Sequence, residues 1–355
     1  MASRFHRLTI AEVRRETADA ISVRFAIPDA LAAEYAFVQG QHITLKADIG
    51  GVELRRSYSI CTGVDDGELR VAIKRVPTGA FSTWANSNLR PGDALDVLTP
   101  EGRFYTPLAA DHRKHYAAFV AGSGITPVLS LIKTALAREP ASRFTLVYGN
   151  RRQASVLFHE ALEDLKDRYL SRFALYHVFS REQQDVGLFN GRLDGAKVRA
   201  FVDTLLPIET IDEAFICGPG GMIDEVEAAL RACGLAPDHI HTERFGLLQE
   251  GAAHHVEPGD APHARIELIV DGVRRAVDFR NGHASILDAA LAAGVDLPYS
   301  CKGGMCCTCR AKLLEGRVRM DKNYSLEKRD LDAGFVLICQ SHPLTERVVV
   351  SYDER

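Results

Sequence analysis

Three cysteines within nine residues, Cys301, Cys306 and Cys309, carry the densest chemistry in this chain. Their C-x4-C-x2-C spacing is followed about thirty residues later by Cys339. Four thiolates so spaced suit a cluster of two irons and two sulfides, which carries one electron at a time. Gly303 and Gly304 let the loop take positive φ and wrap closely, leaving amide N–H groups to donate to sulfur. Structural zinc is the competing reading. Zinc favours paired C-x2-C knuckles, and this loop offers one such pair beside the distant Cys301 and Cys339. Cys61, Cys217, Cys233 and Cys307 fall outside the spacing; they read mainly as small buried residues, and Cys307 as a non-ligand.

Two upstream segments could feed such a cluster. Arg56-Ser-Tyr58-Ser59 closes a strand, and its residue types suit a flavin: a guanidinium for a pyrophosphate, a ring to stack on an isoalloxazine, a hydroxyl for a ring nitrogen. Gly79-Ala-Phe-Ser82 follows another strand and could bring backbone and hydroxyl donors to the diphosphate. The competing reading places Tyr58 in a barrel core and leaves Arg56 as a solvated charge. Next, Gly122-Ser-Gly124-Ile-Thr126-Pro127 follows a strand and opens a helix. Thr126 is expected as the N-cap and Pro127 in the first turn, with free amides for phosphate. Pro127 stands where a third glycine would complete G-x-G-x-x-G, so that fingerprint is absent. Cys217-Gly218-Pro219 follows a later strand; a nucleophilic Cys217 would need a base that the sequence does not indicate.

The strand ending Tyr148-Gly-Asn-Arg151-Arg152 carries no acid where an NAD site usually places one for the ribose 2′-OH. Ser180-Arg181 closes the following strand, and guanidinium groups suit a phosphate dianion. The expectation is NADPH, with NADH possible; unpaired surface charge is the competing explanation of these arginines.

The elements that must hold these residues fall into three segments. Residues 1–110 read as a β-rich barrel, with strands at 21–25, 42–46 and 69–74 between turn formers. Residues 111–245 alternate strand and helix, with strands at 116–121, 144–148, 173–179 and 213–217 and helices at 127–137, 156–165 and after Gly221. That rhythm implies a parallel sheet covered on both faces. Residues 246–263 read as a linker, flexible by composition. Residues 264–355 follow, with a hairpin at Asp271-Gly272 and a helix from Ser285 to Gly294. The 355 residues, 46% hydrophobic and 25% charged, fit a soluble multidomain protein, and a net charge of −4 argues against nucleic acid as partner. No run approaches the length of a bilayer span, and no secretory leader is evident, so a cytoplasmic protein without membrane attachment is expected.

Taken together, these motifs resemble the ferredoxin–NADP reductase superfamily fused to a plant-type ferredoxin, over nearly the whole chain. The loop Pro298-Tyr-Ser-Cys-Lys-Gly-Gly-Met-Cys-Cys-Thr-Cys309 looks like the ferredoxin cluster loop, with Lys302 where the family often has Arg. Gly122-Ser-Gly-Ile-Thr-Pro127 and Cys217-Gly-Pro219 match the superfamily's nicotinamide motifs, while Val38-Gln-Gly-Gln41 departs from its Arg-Pro-Gly-Gln. The resemblance implies a Greek-key FAD barrel, an α/β NADP domain and a β-grasp ferredoxin domain. It implies FAD contacts from Arg56, Tyr58, Ser59, Gly79 and Ser82, with Tyr58 and Ser59 at the reacting ring. Nicotinamide contacts are implied for Gly122, Gly124, Thr126, Gly218 and Pro219, and Cys217 lies beside the hydride path. Arg151, Ser180 and Arg181 form the implied 2′-phosphate clamp. Phe245 packs by the flavin, or else in the core. Cys301, Cys306, Cys309 and Cys339 hold the cluster. The implied activity is that of the reductase component of a multicomponent oxygenase, the partner a di-iron multisubunit complex acting on an aromatic substrate. A reductase for a steroid oxygenase, a stand-alone reductase of small acceptors and a redox sensor are the alternatives.

Overall fold

Six strands build the N-terminal sheet: β1 (Phe5–Thr17), β2 (Ala20–Ala26), β3 (His42–Ile49), β4 (Val52–Ser59), β5 (Leu69–Lys74) and β6 (Ala94–Leu98). Their order is β4-β3-β6-β1-β2-β5, and Ile60, just past β4, bridges to Val71 of β5, so the two outer strands meet and the sheet closes. Closure turns one face inward. Ile10, Val23, Ile43, Leu45, Val71, Ile73 and Val97 there lose all contact with solvent. A short helix, α1 (Ala80–Asn88), adds Phe81 and Ala85 to that core. The computed structural model describes residues 4–245 and 257–354.

The next segment alternates as its hydrophobic rhythm implies. It runs β7 (His115–Ala121), α2 (Ile125–Arg138), β8 (Arg143–Asn150), α3 (His159–Arg168), β9 (Phe173–Phe179), α4 (Gly195–Thr204), β10 (Glu213–Gly218), α5 (Gly220–Ala232) and β11 (Ile240–Arg244). All neighbours in the order β11-β10-β7-β8-β9 are parallel. Along β7, Ala118 and Val120 pack with α2 and α3, whereas Ala117 and Phe119 pack with α4 and α5. The strand order reverses between β7 and β10. In such sheets the crevice outside the carboxyl ends at the reversal is where ligands bind. The barrel joins this layer through Cys61, Ala72 and Phe104, and the Phe104 ring meets Phe215 edge-to-face at 5.5 Å. Residues Arg7–Leu54 and Tyr58–Phe245 accordingly form one compact unit.

The second unit comprises the described residues from 257 on, with short pieces at residues 4–6 and Arg55–Ser57. Its strands are β12 (His263–Val270), β13 (Val273–Arg280), β14 (Arg310–Glu315), β15 (Val318–Met320), β16 (Phe335–Leu337), β17 (Ser341–Pro343) and β18 (Arg347–Ser351). The main sheet is ordered β13-β12-β18-β14-β16, with β12 parallel to β18. Helix α6 (Ile286–Ala292) buries Ile286, Leu287, Ala289 and Ala290 on it, and a short α7 (Lys328–Asp332) lies near the edge. Asp271 and Gly272 both take positive φ (50° and 73°), the two-residue turn that matches strand twist, so the expected hairpin forms. The Ser285 hydroxyl accepts from the Asp288 N–H as the α6 cap, and Gly294 at φ 75° ends the helix region as expected.

Three expectations need correction. Thr126 does not cap α2: Gly122–Gly124 forms a 3-10 turn, the helix begins at Ile125, and the Thr126 hydroxyl donates to the Ser123 carbonyl at 3.0 Å. The helix expected at 156–165 starts only at His159. Val156 and Leu157 are buried from non-helical backbone and Phe158 adopts φ 58°, so apolar loop residues had mimicked a first turn. The linker expected over 246–263 ends earlier. Residues 246–256 lie outside the described residues, but Asp260 pairs with Arg319 at 2.7 Å, Ala261 is buried, and His263 already belongs to β12.

Burial pushes the His42 and His115 imidazoles down to about 4. His115 is held by Thr145, at 2.8 Å, and by Thr210. Because the unfolded chain would protonate these groups near 6.5, their neutral burial stabilises the fold fully above that pH. The contribution falls as pH drops through about 4. Thermal melts followed by circular dichroism should therefore show a melting temperature that declines from pH 6.5 toward 4. A rise over that window would contradict the burial argument.

Candidate electron-transfer site

The loops after β7 and β10 meet at the strand-order reversal. A Cβ added to Gly124 would sit 2.2 Å from the Cys217 carbonyl oxygen, so only glycine permits this approach. Gly122 takes φ 56° with open space around its missing side chain, and its carbonyl accepts from the Tyr148 hydroxyl at 2.9 Å. Pro219 caps α5, whose first residues Gly220 and Gly221 leave the helix N-terminus uncluttered. The N-termini of α2 and α5 thus open onto one crevice, a favourable place for phosphate although the Ile125 amide is already spent on the 3-10 turn.

Cys217 is fully buried, and burial first, then Glu243, pushes its thiol well above the ordinary range. It stays protonated, an apolar wall rather than a nucleophile. Glu243 lies opposite Cys217 in the β10–β11 register. Its carboxylate accepts from the Ser59 hydroxyl at 3.2 Å. Ser59, Glu243 and Cys217 therefore converge where barrel and parallel sheet adjoin. Sequence reasoning singled out Phe245 but not its near neighbour Glu243. Its position directly before Arg244-Phe245 was the available signal, but the pairing with Ser59 spans 184 residues. Phe245 ends this stretch 39% exposed, outside the core.

On β4, Tyr58 packs its ring 5.8 Å from Phe81, and Arg56 donates to the Arg55 carbonyl. Gly79 sits at the N-cap of α1, so the expected Gly-x-x-Ser turn is a helix start. The Ser82 hydroxyl donates to the Gly79 carbonyl (3.2 Å) and accepts from the Val76 N–H (3.1 Å). It braces the turn at the start of α1. A flavin fits this donor set.

Arg151 and Arg181 are brought side by side: Ser180 N–H donates to the Asn150 carbonyl and Arg181 N–H to the Arg151 carbonyl, extending the β8–β9 ladder. Both side chains are exposed. The acid missing at the end of β8 arrives from the neighbouring strand, because Glu182 accepts from the Gln153 N–H at 3.0 Å.

In the second unit the four cysteines gather. Cys301 lies within hydrogen-bond reach of Cys306, and Cys309 of Cys339. The amides of Gly303 and Met305 donate to the Cys301 sulfur at 3.4 Å each, and that of Cys301 to Cys306 at 3.5 Å. Sulfurs already receiving amide hydrogens suit a thiolate-held cluster. Gly304, at φ 76°, has the Lys322 carbonyl oxygen 2.8 Å from where a Cβ would be. Cys307 points elsewhere, its thiol donating to the Ser325 carbonyl at 3.3 Å.

Comparisons with known proteins agree with this layout. Residues 7–105 match an oxidoreductase FAD-binding domain, 119–228 an oxidoreductase NAD-binding domain, and 268–344 a 2Fe–2S iron–sulfur cluster binding domain. One of the subunits that make up the 1,2-phenylacetyl-CoA epoxidase of Escherichia coli is 46% identical over 99% of this chain and 98% of its own. The ferredoxin reductase component of 3-ketosteroid-9-alpha-monooxygenase from Rhodococcus rhodochrous is 35% identical over 97% of this chain and 96% of its own. The chain belongs to this family of iron–sulfur flavoprotein reductases. Phthalate dioxygenase reductase shares the fold at 22% identity and a TM-score of 0.59, with 98% of each chain covered. This family member is thus an oxidoreductase with FAD, nicotinamide and 2Fe–2S domains, and the zinc reading of the cysteines falls away. Among the described residues no helix is long and apolar enough to cross a membrane.

Two substitutions probe the geometry. Gly124→Ala must displace one of the two loops and should raise the KM for the nicotinamide dinucleotide about tenfold or more. Gly221→Ala, with open space around it, should stay within about twofold in the same steady-state assay. At the cysteines, Cys339→Ser should abolish the visible absorption of the cluster, whereas Cys307→Ser should leave it intact. Equal loss in both would overturn the ligand set.

Proposed function

We propose that the chain is the reductase component of an oxygenase that epoxidises the ring of phenylacetyl-CoA, drawing electrons from NADPH. The observation that carries this is 46% identity, end to end, to a component of such an epoxidase. The partner is then an oxygenase component, a di-iron multisubunit complex, met in the cytoplasm. A reductase serving a steroid oxygenase is the second reading, supported by the 35% identical relative.

When bound, the nicotinamide supplies a hydride, the flavin converts that electron pair into single electrons, and the cluster carries them one at a time. The chain's residues make this orderly. Arg56 and the amides at the start of α1 hold the flavin diphosphate, and Tyr58 gives the ring an aromatic face. The Ser59 hydroxyl, its proton donated to Glu243, would present an acceptor oxygen to the flavin ring. The amides opening α2 and α5, with Gly122, Gly124, Thr126, Gly218 and Pro219 shaping the loops, hold the dinucleotide phosphates. Protonated Cys217 lines the transfer path without adding charge and keeps water out. Cys301, Cys306, Cys309 and Cys339 hold the cluster, and the amides of Gly303 and Met305 stabilise the charge on sulfur.

The preference for NADPH rests on Arg151 and Arg181, adjacent and exposed, with the exposed Ser180 next to Arg181 as a hydroxyl donor. The Gln153 amide holds Glu182 through one carboxylate oxygen; the other can accept from a ribose hydroxyl, so NADH is the competing donor. Arg181→Ala should lower kcat/KM for NADPH by roughly ten- to hundredfold while sparing NADH, read from steady-state oxidation with an artificial acceptor. The partner is tested by mixing the reductase with phenylacetyl-CoA oxygenase and with ketosteroid oxygenase components and measuring product formation. Turnover with the steroid enzyme alone would favour the second reading; NADPH oxidation fast with small acceptors and unsupported by either oxygenase would sink both.

A further inference from the structure

His177, on β9, presents an anomaly that electron transfer does not use. Neither of its ring nitrogens finds a hydrogen-bond partner among the described residues, and both atoms are buried. Its ring is hemmed by Tyr148 at 5.9 Å and Phe179 at 5.7 Å, faces that satisfy neither a donor nor a lone pair in the ordinary way. A buried polar atom without a hydrogen-bond partner is costly, so an imidazole with two of them points to a ligand.

The neighbouring side chains are metal ligands by type and placement. His159 opens α3, set there by the left-handed Phe158, and Glu163 follows four residues later on the same helical face. His159 and His177 lie nearly parallel, 7° apart with centroids 5.9 Å distant. One ligand atom from each of His159, Glu163 and His177 lies within 4.8 Å of the others. A tetrahedral ion with metal–nitrogen bonds of about 2.0–2.1 Å needs its ligands roughly 3.3 Å apart. Side-chain rotation can supply that closure, since Glu163 is exposed and His159 half-buried at the rim of a cavity of about 420 Å³ shared with Gln153, Ala154 and Glu182.

We propose that His159, Glu163 and His177 form a divalent-metal site of the zinc class, which ties the first turn of α3 to β9. Two imidazoles and one carboxylate make a borderline donor set that suits zinc, nickel or copper over magnesium or calcium, and the open side leaves a position for water. The site uses none of the cluster cysteines and rests on no reading of the nucleotide or the oxygenase.

Holoprotein carrying FAD and cluster, dialysed against zinc chloride, tests this. Zinc and iron are counted in the same sample by mass spectrometry, so that zinc in emptied cluster sites is recognised as lost iron. About one zinc per chain is expected at full iron content, with a melting temperature raised by zinc. His177→Ala and Glu163→Gln should each weaken zinc binding at least about tenfold and remove the thermal shift. Because Glu163 is exposed, its variant stays informative even where His177→Ala fails to fold. No zinc at full iron content, or zinc held equally by wild type and Glu163→Gln and His159→Ala, overturns the proposal.

Discussion

The approach of two backbones organises this protein. The loop after β7 presses Gly124 onto the Cys217 carbonyl at the end of β10, closer than any side chain allows. That contact is possible because β7 and β10 are hydrogen-bonded neighbours that send their helices to opposite sides of the sheet. It places two helix N-termini at one crevice and fixes where a dinucleotide must lie.

The barrel is bound to that crevice by shared core rather than by surface charge. Phe104 against Phe215, with Cys61 and Ala72, continues the apolar layer under α2. The pair Arg138–Asp65 at the rim is about half exposed and Lys133–Asp66 partly so, and such solvated pairs add little by comparison. Rigid joining matters chemically, because hydride transfer tolerates little misplacement between donor and acceptor rings. The Ser59–Glu243 hydrogen bond lies at that junction, with one partner from each layer.

The second unit solves a different problem. A cluster needs four sulfurs close together, which would repel as bare thiolates, so the loop surrounds them with amide donors and a glycine where the Lys322 carbonyl crowds in. Buried Cys309 and Cys339 belong to the same apolar core as α6, and the parallel β12–β18 pair supplies the sheet beneath it.

Much of this was legible in residue order. The cysteine spacing, the Asp271-Gly272 turn, the Ser285 cap and the alternation of strand and helix follow from local chemistry, in which neighbours in sequence are neighbours in space. Where only local apolarity was available the reading slipped, as at Val156 and Leu157, because a buried loop and a helix's first turn look alike in one dimension. Thr126 slipped for a related reason: a 3-10 turn at the glycines moved the helix start. Sequence by itself determined which groups carry chemistry and in what order along the chain. Only the tertiary structure decided that Ser59 meets Glu243, that Arg181 stands beside Arg151, that Ser82 braces a turn, and that the His177 ring nitrogens find no hydrogen-bond partner among the described residues. Those outcomes depend on strand order and on packing between segments far apart in the chain, which composition and periodicity do not encode.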